Sequence, residues 1–337
     1  MSGQVLLEVK DLRVHFPTED GLVKAVDGIT FAIREGETLG IVGESGSGKS
    51  VSFLTVMGLI DIKRAHIEGE ILFRGQDLLK LPPDEIREIR GDEISMIFQD
   101  PLTALNPVHR VGNQIAEVFL AHRNMSKRAA FDEAIQLLEV VGIPKPAERA
   151  KQYPHEFSGG MRQRAMIAMA LALSPSLLIA DEPTTALDVT VQAQVLDLID
   201  RLKREFNASV ALVTHDLGVV AEHANSIAVM YAGRIVEYGD RDDIYYEAQH
   251  PYTWGLLDSI PRLDEIRERL HPIKGSPPSL IHVPSGCPFH PRCPYVFDIC
   301  PKEIPPLLPS NGNHASACHL PLAEKERIFH EKVAART

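Results

Sequence analysis

Residues 43–50 read Gly-Glu-Ser-Gly-Ser-Gly-Lys-Ser. Three glycines in eight residues let a backbone fold tightly enough to point successive N–H groups at one anion. The octapeptide fits the pattern Gly-x₄-Gly-Lys-Ser/Thr at every position, and its surroundings suit it. The apolar run Thr38–Gly43 before it reads as a buried strand, and Val51–Gly58 after it reads as a helix. In that setting the backbone of Gly43, Glu44, Ser45, Gly46, Ser47 and Gly48 would cradle the phosphates of ATP. Lys49 would reach the β- and γ-phosphates, and the Ser50 hydroxyl would ligate Mg²⁺. A Gly/Ser-rich turn shares the composition but does not require a strand before it and a helix after it.

Two further stretches carry groups with related chemistry. Leu177-Leu-Ile-Ala-Asp181-Glu182-Pro183 is an apolar strand ending in two acids, about 130 residues beyond the lysine. A carboxylate at the C-terminal end of a strand lies where open α/β sheets bind ligands. Asp181 would hold Mg²⁺, directly or through water, and Glu182 could act as general base toward water. Phe157-Ser158-Gly159-Gly160-Met161 opens a helix expected to run from Met161 to about Leu173. Its free N–H groups make a second anion site, although Ser158 alone would read as an ordinary N-cap.

These groups need a scaffold. Residues 4–35 alternate polar and apolar in short runs, with a turn at Glu19-Asp-Gly21, which predicts antiparallel strands. Buried strands are predicted at Ile94–Phe98, Leu177–Asp181 and Val210–Thr214, separated by helical patterns, so a parallel α/β sheet is expected. Residues 101–165 lose strand character and read as an inserted helical subdomain, with helices at Ile115–Arg123 and Ser126–Val141. Beyond about Gly239 the chain turns Pro-rich. The expected division is therefore a phosphate-binding α/β module over residues 1–245 and an extension over 246–337.

Composition excludes some partners. The 337 residues include 35 basic and 46 acidic side chains, a net charge of −11. Nucleic-acid binding rests on neutralising phosphates with Lys and Arg, so an acidic chain is a poor candidate. Residues 1–15 carry charges throughout and do not read as a secretory signal. The most apolar stretch, Ala165–Ala180, is interrupted by Ser174-Pro175-Ser176 and is too short to span a bilayer. A cytosolic or peripheral location is expected.

Taken together, the motifs resemble those of the ATP-binding cassette (ABC) ATPases, a branch of the P-loop (RecA-like) NTPases that adds an antiparallel β subdomain and a helical insertion. The signature of that family is Leu-Ser-Gly-Gly-Gln; here Phe157 stands for the Leu and Met161 for the Gln, while Ser158, Gly159 and Gly160 are kept. The resemblance implies further roles. Gln99 would sense Mg²⁺ and couple to membrane subunits, Leu187-Asp188 would form the D-loop, and His215 would contact the γ-phosphate. Phe16 would stack on adenine, or else be an ordinary core aromatic. Gln99 and His215 also read, more plainly, as polar residues at strand ends.

Met96–Pro107, Tyr153–Phe157, Val229–Gly233, His250–Thr253 and Gly286–Pro294 look like the oligopeptide/dipeptide/nickel importer ATPases, nearest to the oligopeptide-permease branch. The resemblance implies a second ATPase subunit in a heterodimer, two transmembrane permease subunits and an extracytoplasmic peptide-binding protein. It places the chain peripherally, at the cytoplasmic face of the bacterial inner membrane. Each ATP would be sandwiched between one subunit's phosphate loop and the other's Ser-Gly-Gly. Oligopeptide is the leading substrate, with dipeptide and nickel as alternatives; a soluble, non-transport ABC ATPase is a different class of reading.

Cys287, Cys293, Cys300 and Cys318 are spaced C-x₅-C-x₆-C-x₁₇-C, and the first three each precede a proline. A zinc knuckle would show C-x₂₋₄-C, which is missing, although His290, His314 and His319 lie near as spare ligands. Four thiolates could hold an iron–sulfur cluster, and members of the resembling family carry a 4Fe–4S cluster in this region. Zinc, free thiols and a disulfide stay open. In each case the role is expected to be structural and separate from the nucleotide site.

Overall fold

The computed structural model describes residues 3–185, 188–259 and 273–334. In chain order the strands are β1 (Val5–Thr18), β2 (Gly21–Arg34), β3 (Thr38–Val42), β4 (His66–Phe73), β5 (Gln76–Asp77), β6 (Ile94–Ile97), β7 (Leu177–Asp181), β8 (Ser209–Thr214), β9 (Ser226–Tyr231), β10 (Arg234–Asp240), β11 (Leu308–Asn311) and β12 (His314–Ser316). The helices are α1 (Lys49–Val56), α2 (Pro83–Ile89), α3 (Pro101–Ala104), α4 (Val111–His122), α5 (Lys127–Val140), α6 (Pro146–Arg149), α7 (Gly159–Ala170), α8 (Val189–Phe206), α9 (Leu217–His223), α10 (Arg241–Tyr246), α11 (Pro251–Asp258) and α12 (Leu322–Ile328).

The chain forms two compact units. One comprises residues 1–6, 33–37 and 77–213. Here β6, β7 and β8 pair in parallel, with Ile94 opposite Leu177 and Leu177 opposite Ser209. Every residue of these three strands is buried, as expected of a parallel sheet covered on both faces. Between β6 and β7 the chain is helical. Ser126 caps α5 by accepting from the Ala129 N–H at 3.2 Å, one residue before the helix. Gly112 on α4 lets that helix lie close to its neighbours, because a Cβ there would come within 2.8 Å of Ala150 and Phe131.

The other unit comprises residues 7–32, 38–76 and 214–337. Its antiparallel sheet has the order β2-β1-β4-β5, and the β1–β2 turn falls at Glu19-Asp20 as predicted, joining two strands of 14 residues each. The short runs predicted in residues 4–35 are thus parts of two long strands. In the same unit β3 pairs in parallel with β9, β9 with β10 antiparallel, β10 with β12, and β12 with β11. The described residues of the C-terminal segment share a core with the strands of this unit. Phe289, Ile328 and Phe329 join Tyr231, Tyr252, Trp254 and residues of β9 and β10 in one buried cluster.

Candidate functional site: a phosphate loop, a carboxylate strand end and four thiols

The phosphate loop leaves the end of β3, where Val42 is buried, and enters α1 at Gly48. Its glycines are required by geometry. A Cβ on Gly43 would lie 2.2 Å from the Met230 carbonyl, and one on Gly48, at φ 101°, would lie 2.2 Å from the Ala25 carbonyl. Gly46 has φ 78° with open space around it, so backbone conformation alone selects glycine there. The Ser47 N–H donates to the Glu44 carbonyl at 3.2 Å, and the Gly233 N–H donates to the Ser47 carbonyl at 3.0 Å. Lys49 is buried, its Nζ donating to the carbonyls of Gly43 at 2.7 Å and Glu44 at 3.1 Å. The Ser47 hydroxyl is buried with no hydrogen-bond partner. An orphaned hydroxyl and a glycine-only cradle at the start of a helix that lacks a side-chain cap fit an anionic ligand. Ser45 is exposed and Ser50 half-buried.

Elsewhere in the same unit, His215 is exposed just beyond β8, and Asp216 beside it caps α9 by accepting from the Gly218 N–H at 2.8 Å. Phe16 is half-buried on β1 rather than in the core.

In the other unit Asp181 is buried at the end of β7. Glu182 follows with φ 47°, an uncommon conformation for a non-glycine residue, fixed by its N–H donating to the Val213 carbonyl at 2.8 Å. Its carboxylate accepts from Gln99 Nε2 at 2.8 Å and from Thr185 Oγ1 at 2.8 Å. Gln99 and Glu182 were singled out separately in the sequence, 83 residues apart; the structure brings them into direct contact.

Ser158 is the N-cap of α7, its Oγ accepting from the Met161 N–H at 3.3 Å, so that helix starts two residues earlier than predicted. Phe157 is buried as its anchor, while Ser158 and Gly159 are exposed and a Cβ on Gly159 would meet nothing within 4 Å. Asp188 is the N-cap of α8, accepting from the Val191 N–H at 3.0 Å; Leu187 lies outside the described residues.

Sequence reading missed Gln163. It is buried on α7, and its Nε2 donates to the Pro183 carbonyl at 2.6 Å, so the helix that presents Ser158 also grips the peptide following Glu182. A glutamine one turn into a helix gives no sequence signal of such a contact.

All four cysteines line one cleft of about 310 Å³, part of it open to solvent, together with His290 and His319. Burial pushes the Cys287 thiol up to about 11 and the Cys293 thiol up to about 12, and raises Cys318 as well. Nearby backbone N–H groups work against that shift: those of Phe289 and His290 beside Cys287, that of Leu320 beside Cys318, and that of Tyr295, which donates to the Cys293 sulfur at 3.4 Å. For Cys287 and Cys293 the intervening proline has no N–H, which leaves the second residue on as the first available donor.

The geometry lends the zinc alternative no support. Among the described residues no three Cys, His, Asp or Glu side chains are gathered tightly enough to hold a metal ion. His314 is committed elsewhere, with Nε2 bonded to the buried Glu237 carboxylate at 2.9 Å.

The ABC transporter profile matches residues 26–185, and the profile of the oligopeptide/dipeptide transporter C-terminal region matches residues 236–300. The chain is 54% identical to the oligopeptide transport ATP-binding protein OppD of Escherichia coli, over 96% of this chain and 95% of that one. It is also 54% identical to the dipeptide transport ATP-binding protein DppD of Bacillus subtilis, over 94% of each. Among solved structures, the dimeric ATP-binding cassette MJ0796 in a post-hydrolysis state with ADP and Pi superposes with a TM-score of 0.63 at 27% identity, covering 70% of this chain and 98% of that one.

The fold is that of an ABC ATPase cassette. The chain belongs to the ABC transporter ATP-binding proteins, in the group that carries the oligopeptide/dipeptide-type C-terminal region, and its activity is ATP hydrolysis. Among the described residues no helix is long and apolar enough to cross a membrane.

Proposed function

We propose that this chain is one of two unlike ATPase subunits that energise a bacterial importer of oligopeptides. It would act at the cytoplasmic face of the inner membrane, on two transmembrane permease subunits fed by an extracytoplasmic peptide-binding protein. One observation carries the reading. The chain offers one glycine-built phosphate loop and one helix start at Ser158-Gly159-Gly160, with Ser158 and Gly159 exposed and open space beside Gly159, which is half of each of two sites. Residues 1–245 would form the ATPase module, with the helical insertion at 101–165, and residues 246–337 the extension. The names of the peptide-transport relatives support the choice of substrate.

In this reading the loop from Gly43 to Gly48 wraps the phosphates of ATP and Phe16 stacks on the adenine. Lys49 exchanges its carbonyl partners for β- and γ-phosphate oxygens. Ser50, Asp181 and Gln99 would hold Mg²⁺, which when bound neutralises phosphate charge. Glu182, aimed by Gln99 and Thr185, takes a proton from water as the water oxygen bonds to the γ-phosphorus. The bond to the bridging oxygen breaks, leaving ADP and inorganic phosphate. His215 contacts the γ-phosphate. Ser158-Gly159-Gly160 and Asp188 serve the ATP held by the partner subunit.

The four thiols are assigned to a 4Fe–4S cluster in a structural role. Four cysteines on one cleft, with a backbone N–H donating to the Cys293 sulfur, suit the sulfur environment that such clusters use. A polynuclear cluster spans more room than a single ion, which reconciles the shared cleft with the lack of a one-ion ligand group.

The test of function is reconstitution with the permease subunits in vesicles. ATP hydrolysis is expected to rise when the binding protein is loaded with a longer peptide. Stronger stimulation by a dipeptide- or nickel-loaded binding protein would reassign the substrate, and full activity without membrane subunits would refute transport.

A further inference from the structure

The pattern Gly-x₄-Gly-Lys-Ser leaves the second position free, yet Glu44 at that position is held through its N–H, its carbonyl and its carboxylate. Its carboxylate accepts from Arg292 through two nitrogens, Nη1 at 2.6 Å and Nη2 at 3.0 Å, and its N–H donates to the Tyr252 hydroxyl at 2.8 Å. Its carbonyl accepts from Lys49 at 3.1 Å and from Ser47 at 3.2 Å. Arg292 comes from the cysteine-bearing segment, immediately before Cys293, and its side chain is only 5% exposed. It lies 5.8 Å from the ring centre of Tyr231 and 5.9 Å from that of Phe289. The remaining donors are also placed: Nε reaches the Lys274 carbonyl at 3.0 Å, and Nη2 the Gly275 carbonyl at 3.2 Å.

A planar guanidinium pinned by two rings and two carbonyls is a rigid arm, and a bidentate ion pair fixes both position and angle. Residue 44 is a point at which the phosphate loop is held through both backbone and side chain. The carbonyls that Lys49 occupies belong to residues 43 and 44, and the turn that sets Ser47 starts from the Glu44 carbonyl.

We propose that Arg292 is a positioning residue for the phosphate loop, acting through Glu44, so that the cysteine-bearing segment sets the geometry in which ATP is bound. The inference rests on the loop's assignment to ATP. It adds a residue outside every nucleotide motif, and it departs from the expectation that the cysteine segment is separate from the nucleotide site. No metal is required for it, because the arm is held by rings and carbonyls of the chain itself.

The experiment titrates the full-length chain with a fluorescent ATP analogue and Mg²⁺, then measures KM and kcat in the assembled transporter. Lys49→Ala tests the loop: if the wild-type chain binds the analogue and K49A binds it equally well, the ATP assignment fails whatever Arg292 does. With that control passed, R292A and E44Q are each expected to raise Kd about tenfold or more, the scale on which losing a hydrogen bond to a charged group shifts an equilibrium. R292K keeps the charge without the fork and should fall between. The double variant R292A/E44Q should bind no more weakly than the weaker single variant. In the transporter, KM for ATP should rise while kcat at saturation stays within about twofold, because ground-state binding is what the loop supplies. A merely structural role gives the opposite split, a lower kcat from fewer folded molecules at unchanged KM, and that result overturns the proposal. So does wild-type Kd in E44Q, a variant that leaves Arg292 its rings and carbonyls and decides the matter if R292A does not fold.

Discussion

Glu182 adopts a left-handed backbone conformation that a glycine would adopt more easily, and it is kept there by the Val213 carbonyl and by two side chains on its carboxylate. Such a conformation costs on the order of 1–3 kcal/mol, and it persists where the surroundings over-determine it. Glu182→Gln preserves the shape and can still accept from Thr185, but it has no basic oxygen for a proton. ATP binding should persist while turnover in the assembled transporter falls by about 10²–10⁴-fold, measured as phosphate release. A loss within threefold would remove Glu182 from the role of base. Gln163→Ala should act differently. It leaves the Pro183 carbonyl buried without its donor, at a stability cost of about 1–3 kcal/mol visible as a lower melting temperature. At this scale Lys49, Asp181 and Glu182 were legible because phosphate and carboxylate chemistry fixes residue type and spacing within a short window. Gln163 and Arg292 were not. Each acts on a backbone carbonyl or carboxylate far along the chain, and only folding determines which one.

Helix starts carry the next layer of consequence. At the head of α7, Ser158 and Gly159 are exposed. Ser158→Arg puts bulk and charge on that surface and leaves the sequence of this chain's own phosphate loop unchanged. The isolated subunit should therefore bind ATP normally while the assembled transporter hydrolyses it at least tenfold more slowly, as expected when a preorganised anion contact is lost. Equal hydrolysis would show that α7 faces no partner's nucleotide. The start of α11 is built in the opposite way. His250 there is fully buried, with Nδ1 accepting from the Tyr252 N–H at 3.0 Å, and burial holds its pKa down to about 3. The sign follows from the unfolded chain, where histidine titrates near 6.5. Between pH 6.5 and 3 the unfolded state takes up a proton that the folded state refuses. His250 therefore costs no stability above about pH 6.5 and destabilises progressively below it, by at most about 1.4 kcal/mol per pH unit. His250→Asn should flatten the fall of melting temperature between pH 6.5 and 5; an unchanged slope would refute the assignment. Strands with continuous apolar runs were legible, β7 to the residue and β6 and β8 to within one residue at one end. The merging of the first runs into two long strands was not, because the bulge where Lys10 gives way to Arg13 breaks the alternation without breaking the strand.

For the whole molecule the cysteines decide most. Protein purified without oxygen is expected to be brown and to carry about four irons per chain; Cys293→Ser should bleach it and lower the melting temperature. Colourless protein with four titratable thiols would remove the cluster. The sequence suggested a Pro-rich appendage beside an ATPase, and its composition gave no hint that Phe289, Ile328 and Phe329 would be spent on the core beneath β9 and β10. Isolated aromatics in a segment with few other apolar residues look like surface until their partners are known. One consequence concerns evolutionary history rather than energy. Glu44 and Arg292 stand 248 positions apart, at a place the phosphate-loop pattern leaves unconstrained, and they touch through two hydrogen bonds. Neither can drift alone. Lineages that lost the cysteine-bearing segment should have been released to place any residue second in the octapeptide, whereas those that kept Arg292 should have kept an acid there. Gene comparisons across such lineages would read the contact as paired substitution.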